Sequence, residues 1–163
     1  MTALTVRLCA ATQQTAPHPR YDRDSDVLVA KTGVLGAWVF GLNIDGLLNL
    51  DLIADGTLAH VELVYPRGRW KTAPDIQRPQ AVRSAALAFT EGAIAHKDFD
   101  LPVEATTDSA HSWVWIGIGE HRRGGQWVAL SSSCLALIIG KELTGLFMSM
   151  ECGAAKSSHK YSV

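Results

Sequence analysis

A chain of 163 residues, 47% apolar and 19% charged, has the size and composition of one globular domain; this excludes a wholly disordered polypeptide and permits a core without disulfides or metals. Fifteen Lys and Arg against sixteen Asp and Glu leave a formal net charge of -1, so no global field draws the chain to nucleic acid or an anionic membrane.

Residues 1–10 alternate, with Leu4, Val6 and Leu8 set against Thr5, Arg7 and Cys9. This predicts a strand and not a secretory signal, which would open on basic residues and continue as an apolar block. No apolar run approaches the roughly 18 residues of a membrane span. Cys9, Cys134 and Cys152 are odd in number and far apart, with no Cys-x-x-Cys and no His at ligand spacing, so neither a disulfide framework nor zinc is expected, and a cytosolic setting is. No cofactor is implied. The segment Asp22-Arg23-Asp24-Ser25-Asp26 begins like a calcium loop but has Val27 and Gly33 where Gly and Glu are needed, and reads as a turn before a strand.

Short apolar or alternating runs at 27–31, 38–41, 47–53 and 58–65, punctuated by Gly, Asp and Asn, predict a strand meander. Asp55-Gly56 predicts a two-residue type I′ turn, which pairs Leu52 with Ala59, Leu50 with Val61 and Leu48 with Leu63 on one face. The other face then pairs Asp51 with His60 and Asn49 with Glu62, and is polar; a slip of one residue would mix the two faces. His60 beside Asp51 is a candidate acid–base pair, since a carboxylate fixes an imidazole's tautomer, although no nucleophile is placed with it. Exposed cross-strand partners of this kind are also ordinary sheet pairs.

Beyond this hairpin, Pro66 to Arg83 carries Arg67, Arg69, Lys71, Arg78 and Arg83 against Asp75 alone. Arg beside Trp70 suits an interface hot spot, or RNA contact by phosphate pairing and stacking; the alternative is that Trp70 caps the core. Val82, Ala86, Phe89 and Ala93 then recur at helical spacing, with Pro79 ahead and Gly92 behind, predicting a helix over 79–91. Strands resume at 103–107, 112–119, 126–131, 134–139 and 143–150. Trp113 and Trp115 share one face of a strand whose other face is also apolar, so this strand is expected to be central. The tail, 151–163, has little to bury and is expected to be loose.

Displacing the sequence so that Leu50 falls on Leu135 also places Leu52 on Leu137, Val61 on Leu146 and Leu63 on Met148. This predicts a degenerate duplication, with pseudo-repeats over about 4–65 and 102–150. The copies differ: opposite the polar set of the first stand Cys134, Ala136, Gly145 and Phe147 in the second. A strand ribbon apolar on both sides must be covered, and the predicted helix is the expected cover. The expected architecture is therefore a single α+β, strand-rich domain, two antiparallel meanders forming a sandwich or half-barrel with one helix packed on it.

Tyr21-Asp22, Asp26, Leu28 and the hairpin Asp55-Gly56 through Val61-Glu62-Leu63 resemble small bacterial domains of uncharacterised function, which carry a Tyr-Asp-x-x-x-Asp-x-Leu strand and an Asp-Gly hairpin ending in Val-Glu-Leu or its like. In size and make-up the chain is also similar to immunity proteins of bacterial toxin systems, including contact-dependent inhibition. That likeness implies a non-enzymatic cytosolic domain binding a cognate protein toxin. The expected binding residues are Asn49, Asp51, His60, Glu62, Arg67, Arg69 and Trp70. The alternatives are a small hydrolase or ligand-binding enzyme using His60 and Asp51, and an RNA-binding domain using the basic segment.

Overall fold

The computed structural model describes residues 3–12, 14–74, 77–90 and 96–150, and of His96 the backbone alone. The strands are β1 (Val6–Cys9), β2 (Arg20–Asp22), β3 (Val27–Lys31), β4 (Phe40–Ile44), β5 (Leu48–Leu52), β6 (Leu58–Leu63), β7 (Lys71–Thr72), β8 (Arg83–Ser84), β9 (Ala86–Phe89), β10 (His96–Phe99), β11 (Val103–Thr107), β12 (Trp113–Ile118), β13 (Gln126–Ala129), β14 (Cys134–Ile139) and β15 (Glu142–Ser149). They form a six-stranded sheet in the order β10-β4-β5-β6-β3-β2, a seven-stranded sheet in the order β7-β11-β12-β15-β14-β13-β8, and the ribbon β1-β9.

The helix expected over 79–91 does not form. Among the described residues strands make up 50% and helical residues 2%, and the one helical segment is a 3-10 turn at Arg67–Arg69; the class is all-β, not α+β. Helical spacing misled because Ala85, Ala86, Leu87, Ala88 and Phe89 are all buried while Val82 is 66% exposed. An apolar run this short and buried all round fits either period, and tertiary pairing decides. Here Val6 to Cys9 pairs antiparallel with Phe89 to Ala86. Of the other positions expected in the helix, Glu91 lies outside the described residues, as do Ala93 and the 151–163 tail.

Both large sheets share one strand order: β2-β3-β6-β5-β4 followed by the parallel β10 corresponds to β11-β12-β15-β14-β13 followed by the parallel β8. In equivalent rows, Leu28, Leu63 and Leu48 stand where Val114, Met148 and Cys134 stand. The match therefore puts Leu50 on Ala136, not on Leu135. Consequently Cys134 and Ala136 face inward, and Asn49 and Asp51 correspond to Leu135 and Leu137. The polar-against-apolar contrast survives this one-residue correction because Leu135 and Leu137 are apolar as well.

Inner faces of both sheets feed one core, with Leu28, Leu42, Leu48 and Leu50 from the first and Val114, Ile116, Ala136 and Leu146 from the second. The β1-β9 ribbon joins them at one end. Phe89 N donates to Gly56 O beside the β5–β6 turn, and Val6 N donates to Lys141 O beside the β14–β15 turn. That β5–β6 turn has a different form from the one expected. Gly56 N donates to Ile53 O and Ile53 N to Thr57 O, and Gly56 alone has positive φ, at 87°. This is a type I turn followed by a left-handed glycine. The extra residue bulges the ladder, so Leu52 meets Leu58, while Asp51–His60, Leu50–Val61, Asn49–Glu62 and Leu48–Leu63 pair as the pattern requires.

Cys134 is fully buried in this core, and burial pushes its thiol up to about 12. The unfolded chain ionises this thiol near pH 9 while the folded one keeps its proton. Stability therefore falls as pH rises above about 9 and through 12. We expect Cys134 to resist maleimide at pH 8 until the protein is unfolded, with Cys134→Ser reducing the alkaline decline; labelling of native Cys134 would contradict its placement.

Candidate functional site

The outer face of the six-stranded sheet is built by alternation. Leu28 and Ala30 of β3, Leu42 and Ile44 of β4, Leu50 of β5 and Val61 and Leu63 of β6 point into the core. Their neighbours Val29, Lys31, Asn43, Asn49, Asp51, His60 and Glu62 therefore share the opposite side. Registers place Lys31 and Asp51 on either side of His60, and Val29 and Asn49 on either side of Glu62.

This face is polar but not uniformly wet. His60 Nδ1 is 2.8 Å from Asp51 Oδ2, and the side chains are 5% and 28% exposed. Trp38, from the β3–β4 loop, stacks on the imidazole with centroids 4.2 Å apart and planes at 18°, leaving His60 buried. Asn43 Nδ2 donates to Asn49 Oδ1 at 2.5 Å, and Asn43 Oδ1 accepts from Gly46 N. Asp51 and His60 thus form the pair expected, and Asn49 joins a second one. Both are structural sheet pairs first, each partner held by the other. Among the described residues no hydroxyl or thiol hydrogen-bonds His60. We expect His60→Ala to lower stability by about 1–3 kcal/mol, since a ring stack and a buried hydrogen bond go together; a variant as stable as the wild type in urea denaturation would refute this account.

Glu62 leads to a larger feature. A groove of about 590 Å³ crosses β2, β3 and β6, lined by Pro17, His18, Arg20, Asp22, Ser25, Val27, Val29, Lys31 and Glu62. Its floor is the pair of valines and its rim carries both signs of charge. Asp22, at the rim, is held below the usual carboxylate range, first by the backbone N–H of Asp24. Ser133 Oγ lies 2.8 Å from His18 Nδ1, tying the segment before β2 to the other sheet. In size this is a ligand-scale concavity.

Arg67, Arg69 and Trp70 do not join this face. Tyr21 pairs with buried Leu28, so it lies on the core side of β2, and the 3-10 turn packs against it. Arg67 N donates to the Tyr21 hydroxyl at 3.0 Å and its guanidinium lies 4.6 Å from the ring centroid. Tyr21 donates to Asp26 Oδ1; burial, and then this bond, push its phenol above the ordinary value. Trp70 is 6% exposed, its Nε1 donates to Tyr65 O and its ring meets Tyr21 edge-on at 5.6 Å. It is a core cap. Arg69 sits 5.7 Å from the Tyr65 ring, Lys71 pairs with Glu104 at 2.9 Å and Arg78 donates to Ser132 O, so most of the basic segment is engaged within the chain.

The opposite sheet closes its own outer face. Trp115 and Trp127 meet edge-on at 5.2 Å, Trp127 reaches Phe147 at 6.3 Å, and Trp113 reaches Phe147 at 5.5 Å. Leu135 and Phe147 beneath them are buried. The cover expected from a helix is supplied by indoles lying on the sheet, and Gly145 leaves the space for one of them. Sequence reasoning missed Trp38, His18, Arg20 and Lys31. Lys31 carried a signal, the outward phase of β3 shared with Val27 and Val29. Trp38 carried none, because its position depends on a loop with Gly33 and Gly36 at positive φ.

Among the described residues no three His, Cys, Asp or Glu side chains gather as a metal set, and no helix is long and apolar enough to cross a membrane. Compared with known proteins, the chain matches no protein-family model and no curated protein sequence.

Proposed function

We propose that the chain is a non-catalytic protein-binding domain whose recognition surface is the outer face of the six-stranded sheet, centred on the groove rimmed by Arg20, Lys31 and Glu62. The carrying observation is the asymmetry between two sheets of one strand order. One outer face is sealed by its own aromatic layer, while the other keeps ionisable groups and a concavity. Solvated charges of both signs around an apolar floor suit specific recognition of another protein's surface more than a bulk electrostatic partner. Two further facts favour this over the alternatives: Trp38 lies across the imidazole that a hydrolase would use, and most of the basic segment an RNA site would use is already paired or stacked. That the partner is a toxin neutralised by binding rests on the resemblance to immunity proteins alone.

The test is co-expression of the full chain with the C-terminal toxic domain of a secreted protein encoded beside it. We expect a one-to-one complex that protects growth, weakened about tenfold or more by Lys31→Glu with Glu62→Lys, as for residues near an interface centre. Thr106→Lys, on the other sheet, should leave it intact. Absence of a complex, or a double variant that binds like the wild type, would overturn the reading.

A further inference from the structure

The two large sheets differ at one edge. Beyond β11 the seven-stranded sheet gains β7, paired in parallel through Lys71 with Thr106 and Thr72 with Thr107 and anchored by Ala73 N donating to Thr107 O at 2.9 Å. Beyond β2, the strand equivalent to β11, the six-stranded sheet ends. Among the described residues no backbone group outside β3 pairs with Arg20–Asp22. An unpaired edge is a template for one more strand. Pro17 and Pro19 just before it carry no N–H, which confines pairing to a stretch about as short as β7.

Charge says what kind of strand would fit. Tyr21 and Thr107 are equivalent, each opposite the buried residue Leu28 or Val114, so Arg20 stands where Thr106 stands and His18 where Glu104 stands. On the complete sheet the added strand brings Lys71, whose ammonium reaches Glu104 Oε1 at 2.9 Å. On the incomplete sheet the acid is replaced by imidazole and the threonine by a guanidinium, and both line the groove with Lys31. Asp22 and Glu62 line the groove too, but Asp22 stands where Asp108 stands and is common to both edges, and Glu62 lies two strands in; the two edges differ in charge at His18 and Arg20. A lysine in the added strand would meet like charge here, whereas a carboxylate would be paired. The chain's own residues 151–163 offer Glu151 against Lys156, His159 and Lys160, the wrong balance for this edge.

We propose that the β2 edge takes an extended, acidic segment of the partner protein as an additional parallel strand, its carboxylate over Arg20 and His18, completing the six-stranded sheet as β7 completes the other. This deepens the protein-binding reading and rests on it.

The test titrates the full-length protein with two blocked heptapeptides, Thr-Val-Thr-Glu-Thr-Val-Thr and the same sequence with central Lys, while following backbone amides by NMR at low salt. The host residues favour an extended chain. We expect the Glu peptide to slow exchange of the Tyr21 amide, which like Thr107 points away from its own sheet while Arg20 and Asp22 face β3, and to bind roughly three- to fivefold more tightly than the Lys peptide, the scale of an exposed ion pair. Arg20→Glu should reverse that order. Equal binding of both peptides, shifts confined to other strands, or an unreversed preference in Arg20→Glu would overturn the proposal. So would a Tyr21 amide already slow in the free protein and freed by deleting residues 151–163, which would make the tail the occupant. A partner captured by co-expression that leaves β2 exchange unchanged would overturn the edge and leave the protein-binding reading standing.

Discussion

Gly145→Val should lower the unfolding free energy by about 3 kcal/mol and abolish the near-ultraviolet circular dichroism of coupled indoles, because it drives a side chain into space that Trp115 already fills. A Cβ on Gly145 would lie 2.3 Å from Trp115 Cη2 and 2.8 Å from Cζ3. Trp115 cannot retreat without leaving Trp127, 5.2 Å away. Gly117→Ala is the control: its Cβ would meet Trp115 Nε1 at 3.6 Å, an ordinary contact, and should change stability by no more than about 0.5 kcal/mol. Trp115→Ala combined with Gly145→Val should be less destabilising than the sum of the two, since each removes the other's conflict. Urea denaturation and near-ultraviolet spectra read all four proteins, and a fully additive pair would refute the packing account.

Gly56→Ala should cost about 2 kcal/mol, the range for a non-glycine residue forced into a left-handed conformation. Gly56 has φ 87°, and its Cβ would approach Phe89 O to 2.9 Å, which is backbone and cannot swing aside. That carbonyl lies on the strand whose residue Phe89 donates to Gly56 O. The damage should be local before it is global: amide exchange should quicken first in Val6–Cys9 and Ala86–Phe89 and later in Leu48–Leu63. Uniform acceleration across the molecule would show that the ribbon is not a separate cooperative unit.

Much of the architecture was legible because alternation and turn residues are local signals. The segments 27–31, 103–107 and 134–139 match β3, β11 and β14 to the residue. The cross-strand pairs at Asp51 and Asn49 followed from the same arithmetic, since a hairpin's register propagates from its turn even when the turn's type is misjudged. The run at Ala85–Phe89 was not legible: its burial comes from a partner strand some eighty residues earlier in the chain, and no local period encodes that. The parallel edge strands β7 and β8 are two residues each, too short for any pattern. In the site, His60 and Asp51 were found as a pair but expected in water. The indole that buries His60 comes from a loop, and its docking is a tertiary event. Trp70 allowed two readings, an interface residue or a core cap, and its burial against Tyr21 makes it the cap.

The stretch between the two sheets supplies the outermost strand of each, β8 to the later sheet and β10 to the earlier one. Neither half therefore has a complete set of hydrogen bonds encoded within its own contiguous residues. During synthesis the leading half must wait, with Phe40–Ile44 unpaired along one side, until Phe99 has left the ribosome, and a protease cut between the halves would strip an edge from both at once.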